Sequence, residues 1–348
     1  MSINTKVSPR RMKKFVIKCI LAGVVPFVQS SPGLGKSAII RGIADEYNLE
    51  LIDHRLSTSA PEDLSGLPEF YVDAQNTRRA TFSPFDIFPT ETTPIPEGKA
   101  GWLLFLDEFN SAPKTVQAAA YKLILDKMVG QNKLHPNVAI VTAGNLTTDR
   151  AITNPLSTAM QSRVVHIEMI IDHAEFLEDV VLAQEWDYRI YAFLSYKNSY
   201  IHDFRPDHND KTFCCPRTWE FLNRMLRVDP VIQEDDGMLF AGTITSGVAF
   251  EFVNFCALYT SLPKLEDIMS DPMGTPLSQD AATRFAITSS LMEKVDEKNF
   301  EKITQYINRM SSEFRVMFFR GMLRKQPKLR DHPQFRQAML DLSRYLHG

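Results

Sequence analysis

The stretch Gln29-Ser30-Ser31-Pro32-Gly33-Leu34-Gly35-Lys36-Ser37 lies between an apolar run at 24–28 and a helix-like run at 38–47. The spacing G-x-x-x-x-G-K-[ST] suits a triphosphate. Turns that glycine permits aim backbone N–H groups at phosphate oxygens, and the helix that follows presents the positive end of its dipole. Ser31, Pro32, Gly33, Leu34 and Gly35 would form the cradle, Lys36 would reach the β- and γ-phosphates, and Ser37 would ligate Mg²⁺. Ser30 stands where the pattern has its first glycine, but the tight turn at Gly33 and Gly35 survives. Further on, Trp102-Leu103-Leu104-Phe105-Leu106-Asp107-Glu108 is an apolar run ending in two adjacent carboxylates. A strand buried on both faces delivers acids to the carboxyl edge of a parallel sheet in this way. Asp107 would hold the water shell of Mg²⁺ and Glu108 would orient and polarise the attacking water, because phosphoryl transfer needs positioning and charge stabilisation more than covalent chemistry. Thr142-Ala143-Gly144-Asn145 ends a further apolar run, so the Asn145 amide lands beside the acids and can hold that water.

The elements that must position these groups are legible as an alternation. Strands are expected at 24–29, 49–55, 102–107, 138–143 and 164–169, and helices at 38–47, 115–125 and 155–161. That predicts an α/β fold with a parallel five-stranded sheet covered on both faces and the nucleotide at its carboxyl edge. An insert at 57–99, with Leu64, Leu67, Phe70, Tyr71, Phe82, Phe85 and Phe88 among its apolar residues, separates the second and third strands. Unstructured loops of that length are usually functional. Past Met169 the pattern turns helical. Helices are expected at 174–184, 187–195 and 216–228, the last with Pro216 at its first position, and then at 247–261, 297–310, 312–324 and 334–346. The resulting division is an α/β nucleotide-binding domain at 1–170, a small helical lid at 171–228 and a helix-rich extension at 229–348.

Composition bounds the partners. The 348 residues are 44% hydrophobic and 23% charged, with 39 Lys plus Arg against 42 Asp plus Glu, so no global field points to nucleic acid or an anionic membrane. Arg10, Arg11, Lys13, Lys14 and Lys18 precede an apolar run that superficially resembles a secretory signal. That run flows into the phosphate loop, so an amphipathic helix at 9–21 with a solvated basic face is the better expectation. No run is long enough to span a membrane. The four cysteines include no CxxC pair and fit a reducing, cytoplasmic setting. His202 and His208 lack a second ligand pair at zinc spacing.

Taken together, Ser31-Pro32-Gly33-Leu34-Gly35-Lys36-Ser37, Glu62-Asp63-Leu64-Ser65-Gly66-Leu67-Pro68, Leu106-Asp107-Glu108-Phe109-Asn110-Ser111-Ala112-Pro113, Ala143-Gly144-Asn145 and Pro216-Arg217-Thr218-Trp219-Glu220 resemble the AAA+ ATPases, in their MoxR-like, dynein-related branch. The resemblance covers residues 24 to 228. It implies ATP and Mg²⁺ as cofactors, with Asn145 as sensor 1 and Arg217 as sensor 2. A cation in the first turn of a helix opposes the helix dipole, and a γ-phosphate partner for Arg217 would explain that placement. Arg163, before the fifth strand, is the first choice for an arginine finger acting on a neighbouring subunit, and Arg150 the second. A finger acting in trans implies a ring homo-oligomer, a hexamer in most of this class. Phe70 and Tyr71 would then either grip a partner segment or pack the insert onto its own domain, and packing is the expectation.

Two functions follow. The first is Mg-dependent ATP hydrolysis by a ring that remodels or loads a partner protein, which by family analogy would be a von Willebrand factor A domain protein. The second is a nucleic-acid-directed motor or loader, which needs a basic pore or arm. Only Arg10 to Lys18 and the Arg78-Arg79 pair offer one, and both read equally as solvated faces. A scaffold that binds nucleotide without hydrolysing it is disfavoured by Glu108. ATP and GTP are not distinguished by any residue.

Overall fold

The computed structural model of the protein describes residues 6–149 and 153–346, which fall into two compact units, Met1–Ile171 and Asp172–Gly348. The first unit is an α/β layer structure. Its strands are β1 (Lys6–Val7), β2 (Val25–Ser30), β3 (Leu49–Arg55), the hairpin pair β4 (Leu67–Val72) and β5 (Arg78–Ser83), β6 (Gly101–Asp107), the short pair β7 (Met128–Val129) and β8 (Asn132–Lys133), β9 (Val138–Asn145) and β10 (Val164–Met169). Six of them form one sheet in the order β1-β10-β2-β9-β6-β3, with every pairing parallel. The sheet thus has one strand more than the five expected. The extra one, β1, is a two-residue edge strand pairing Val7 with Met169, too short for any hydrophobic period to announce.

Both faces of the sheet are covered, which is why its central strands read as continuous apolar runs. All of β6 is buried, with side chains alternating between two cores. Leu103 and Phe105 pack with Val28, Val141 and Ala143 under α1 (Pro9–Leu21) and α2 (Lys36–Glu46). Trp102, Leu104 and Leu106 pack with Phe27 and Ile140 under α4 (Lys114–Asp126) and the short α5 (Thr158–Gln161). Ser157 caps α5, its Oγ accepting from the Met160 N–H at 3.2 Å. Burial on this scale drives the fold at roughly 25 cal/mol per Å² of apolar surface removed from water.

The 57–99 insert is structured rather than a bare loop. It begins with α3 (Pro61–Ser65), continues into the β4–β5 hairpin and re-enters the core through Phe88, 2% exposed. The Asp73 carboxylate closes the hairpin turn by accepting from the Gln75 and Thr77 N–H groups at 3.0 and 2.9 Å, and Asn76 takes the left-handed backbone there. Leu64 and Phe88 are buried, but the expectation that Phe70 and Tyr71 pack the insert onto its own domain does not hold. Phe70 is 63% exposed and Tyr71 46%, because two strands without a third layer give a hairpin no inside.

The second unit is helical. Among its elements are α6 (His173–Phe176), α7 (Tyr188–Tyr196), α8 (Pro216–Val228), α9 (Asp236–Ile244), α10 (Ser246–Ala257), α11 (Leu265–Ser270), α12 (Ala281–Lys294), α13 (Phe300–Ile307), α14 (Ser312–Lys325) and α15 (Pro333–Leu346). Its centre is aromatic. The Phe193 ring lies 5.4 to 5.9 Å from those of Trp219, Phe252 and Phe255. No helix among the described residues is long and apolar enough to cross a membrane.

Candidate phosphate-loop site

Strand β2 ends at Ser30 and α2 begins at Lys36, so the predicted loop occupies the carboxyl end of a central strand and the amino end of a helix. Gly33 and Gly35 have φ of 79° and 84°. Nothing within 4 Å would meet a Cβ on Gly35, so it is the left-handed backbone, not crowding, that calls for glycine there. Ser31, Pro32 and Leu34 complete the turn. The Lys36 ammonium donates to the Ser30 Oγ at 2.9 Å and the Ser30 carbonyl at 3.2 Å. The serine in the first glycine's place therefore supplies a hydroxyl that holds the lysine over the loop.

Parallel register brings the acids alongside. Strand β9 lies between β2 and β6 and pairs Ser30 with Asn145 on one side and Thr142 with Leu106 on the other. Asp107 ends β6, 8% exposed, and its Oδ2 accepts from the Ser37 Oγ at 3.1 Å. A hydroxyl and a carboxylate converging on one point are the kind of sparse oxygen set that would suit Mg²⁺. Glu108 follows in the left-handed region, φ 55°, which is uncommon for a residue with a side chain. Its N–H is turned onto Asp107 Oδ1 at 2.8 Å. Its carboxylate accepts from Ser57 Oγ and lies 3.6 Å from Arg55 Nε. Asp53, two residues back along β3, carries a carboxyl held above the usual range by burial and then by the Asp107 charge, with Arg41 3.6 Å away offsetting part of it. The edge is thus rich in carboxylate, an environment that suits a divalent cation.

Asn145 ends β9 and is pinned in place. The Asn110 amide donates to the Asn145 carbonyl at 2.7 Å and accepts from its N–H at 3.1 Å. A Cβ on Gly144 would sit 2.1 Å from Asn110 Oδ1, so glycine there is what allows the approach. Gln29 Nε2 reaches the same carbonyl at 3.5 Å. Asn110, Ser57 and Arg55 are contacts the motifs did not assign. Their signal is register: β3 pairs Arg55 with Asp107, so any polar residue just past β3 meets the acids.

The two arginines are placed differently. Arg163 precedes β10, whose Val164 pairs with Val25 at the start of β2, so it stands at the amino edge of the sheet, opposite the phosphate loop. Its Nη1 donates to the Ala159 carbonyl at 2.6 Å and to Ser162 Oγ at 3.2 Å, and its guanidinium lies 5.0 Å from the centre of the Tyr121 ring. Arg217 is exposed on the first turn of α8, in the second unit, in no hydrogen bond or ion pair among the described residues. Arg150 lies outside the described residues. Among the described residues no group of three or more His, Cys, Asp and Glu side chains is placed to hold a metal ion.

The sequence matches no protein-family model and no curated protein. Similar solved structures include a candidate ATPase from Cytophaga hutchinsonii, 13% identical over 98% of this chain and 90% of that one with a TM-score of 0.33. Another is the RuvB Holliday junction branch migration motor of Thermotoga maritima, 15% identical over 86% of each chain with a TM-score of 0.36. A third is NtrX from Brucella abortus, 12% identical over 98% of this chain and 69% of that one with a TM-score of 0.35. At these values the superpositions are loose, and the fold rests on strand order and the loop themselves.

Proposed function

We propose that the protein is a Mg-dependent ATPase of the AAA+ type, in the MoxR-like branch, that works as a ring, a hexamer in the first instance, and remodels or loads a partner protein. The observation that carries the hydrolytic part is the convergence of Ser37 on Asp107 at 3.1 Å, with Lys36 on one side and Glu108 on the other. Backbone N–H groups of 31–37 bind the phosphates, and Lys36 leaves Ser30 to reach the terminal ones. Mg²⁺, which Ser37 and Asp107 would hold, would offset the negative charge of the phosphates. Glu108, released from Ser57 and Arg55, polarises the water that Asn145 helps to hold. Arg163 cannot serve its own loop from the opposite edge of the sheet and is assigned to a neighbour's nucleotide, with Arg217 assigned to the γ-phosphate. The ring and the protein partner, with a von Willebrand factor A domain as the first candidate, rest on the motif resemblance, and a cytoplasmic setting rests on four cysteines without a CxxC pair.

The test is turnover against protein concentration, with mass photometry, for the wild type, Glu108→Gln and Arg163→Ala. Glu108→Gln is expected to bind nucleotide and assemble while losing on the order of 10²- to 10⁴-fold in rate, the usual contribution of a positioned base. Arg163→Ala is expected to assemble and lose on the order of 10³-fold. Turnover per subunit that stays flat as a monomeric protein is concentrated would remove the ring.

A further inference from the structure

Left-handed backbone at a residue with a side chain persists only where its surroundings hold it, and Glu108 is such a residue. Part of the hold is local. Its N–H goes to Asp107, and its carbonyl accepts from the Ser111 N–H at 2.9 Å, closing the short helical turn Phe109–Ser111. The rest comes from two amide side chains further along the chain. Asn154 donates its N–H to the Asn110 carbonyl at 2.6 Å and its Nδ2 to the Ala112 carbonyl at 2.9 Å. Gln117, 8% exposed on the first turn of α4, donates its Nε2 to the same Ala112 carbonyl at 3.1 Å and to the Asn154 carbonyl at 3.4 Å.

Ala112 is fully buried ahead of Pro113, so its carbonyl has no recourse to water and depends on those two amides. Asn110 takes both ends of the connection at 146–153, Asn145 through its side chain and Asn154 through its carbonyl. The turn that follows Glu108 is therefore gripped from two sides, by the end of β9 and by the Asn154–Gln117 pair.

The geometry points to Asn154 and Gln117 as positioning residues for Glu108: their amides fix the turn after it and so set where its carboxylate can stand. The inference rests on the ATPase reading, in which Glu108 polarises the attacking water. Among the described residues, the side-chain hydrogen bonds of the pair go to neither the phosphate loop nor Ser37 and Asp107. Nucleotide binding should be independent of them, while the rate should not be. A misplacement of about 1 Å at a reacting group costs on the order of 10²-fold in rate.

The test compares ATP turnover and binding of a fluorescent ATP analogue in Asn154→Ala, in Gln117→Met, which keeps the volume without the donor, and in the two together. Circular dichroism checks folding. Each single change is expected to lower kcat about tenfold and the pair about a hundredfold, with the analogue's Kd within about threefold of the wild type. Placed in Glu108→Gln and followed by single turnover, the pair should cost less than about threefold more, because residues that act through one group are not additive. Should the double variant fail to fold, Gln117→Met alone, with and without Glu108→Gln, carries the same comparison. If kcat stays within about threefold of the wild type while Glu108→Gln is inactive, or if the losses add to those of Glu108→Gln, the pair only supports the fold and the ATPase stands. If the wild type does not hydrolyse ATP, or Glu108→Gln turns over as fast as the wild type, the reading of Glu108 and the positioning role fall together.

Discussion

Asn110 holds both main-chain polar groups of Asn145 through one buried amide, and so sets the height of the β9 end against Asp107 and Glu108. Replacing it by alanine leaves the Asn145 N–H without its acceptor and the carbonyl with only the long Gln29 contact, and opens space beside Gly144. Asn110→Ala is therefore expected to cost about 1–3 kcal/mol in denaturant melts, the usual cost of unsatisfied buried partners. It should lower kcat while leaving nucleotide affinity, which depends on the loop around Lys36, nearly intact. Equal losses in affinity and kcat would show that Asn110 supports the whole edge rather than Asn145. The loop and the acids were legible in the sequence because their spacing is local: Lys36 and Ser37 follow Gly35 directly, and Asp107 and Glu108 end one apolar run. Asn110, Ser57 and Arg55 were not, because their roles depend on which strands are neighbours, and strand order is a long-range property.

At the scale of elements, β3 contributes more than a sheet edge. His54, half-buried on it, faces the Phe88 ring 5.8 Å away and meets Ser59 Oγ at 3.0 Å. Burial lowers its pKa from the usual 6.5, against the opposing charges of Asp63 and Asp53. The folded state therefore binds fewer protons here than the unfolded chain just below pH 6.5, so stability rises with pH through that window and is lost as the imidazole is forced to charge. Thermal melts of the wild type between about pH 5 and 7 should show that slope, and His54→Gln should flatten it. An unchanged slope would assign it to other groups. The elements themselves were read unevenly. Helices α1 and α8 show their period because one face meets water. By contrast, α12, with Phe285, Ala286, Ile287, Thr288, Ser289, Leu291 and Met292 all buried, is surrounded and has no amphipathic stripe to find. The β4–β5 hairpin hid behind Pro68 and a turn that needs Asn76 in a left-handed conformation.

For the whole molecule, all four cysteines are free and buried. Burial, reinforced by the Asp203 charge, pushes the Cys214 thiol up to about 12, and burial also raises those of Cys256 and Cys19. A thiol with so little thiolate and no access is inert. A chromogenic disulfide reagent at pH 8 is therefore expected to titrate none in the native protein and four after denaturation. Cys19 lies under α1 in the nucleotide-binding unit, so its exposure under mild denaturant should be delayed by an ATP analogue, by about 2.7 kcal/mol at a hundredfold excess over Kd. Prompt native labelling would mean that the cores breathe far more than their packing suggests.

Strand β2 carries the phosphate loop at its carboxyl end, and at its amino end Val25 pairs with Val164, the residue after Arg163. Its six residues span roughly 20 Å at the rise of a β-strand, clamped on both sides by hydrogen-bonded neighbours. Its length is therefore set by the sheet rather than by any loop, so the phosphate loop and the start of β10 keep a fixed separation.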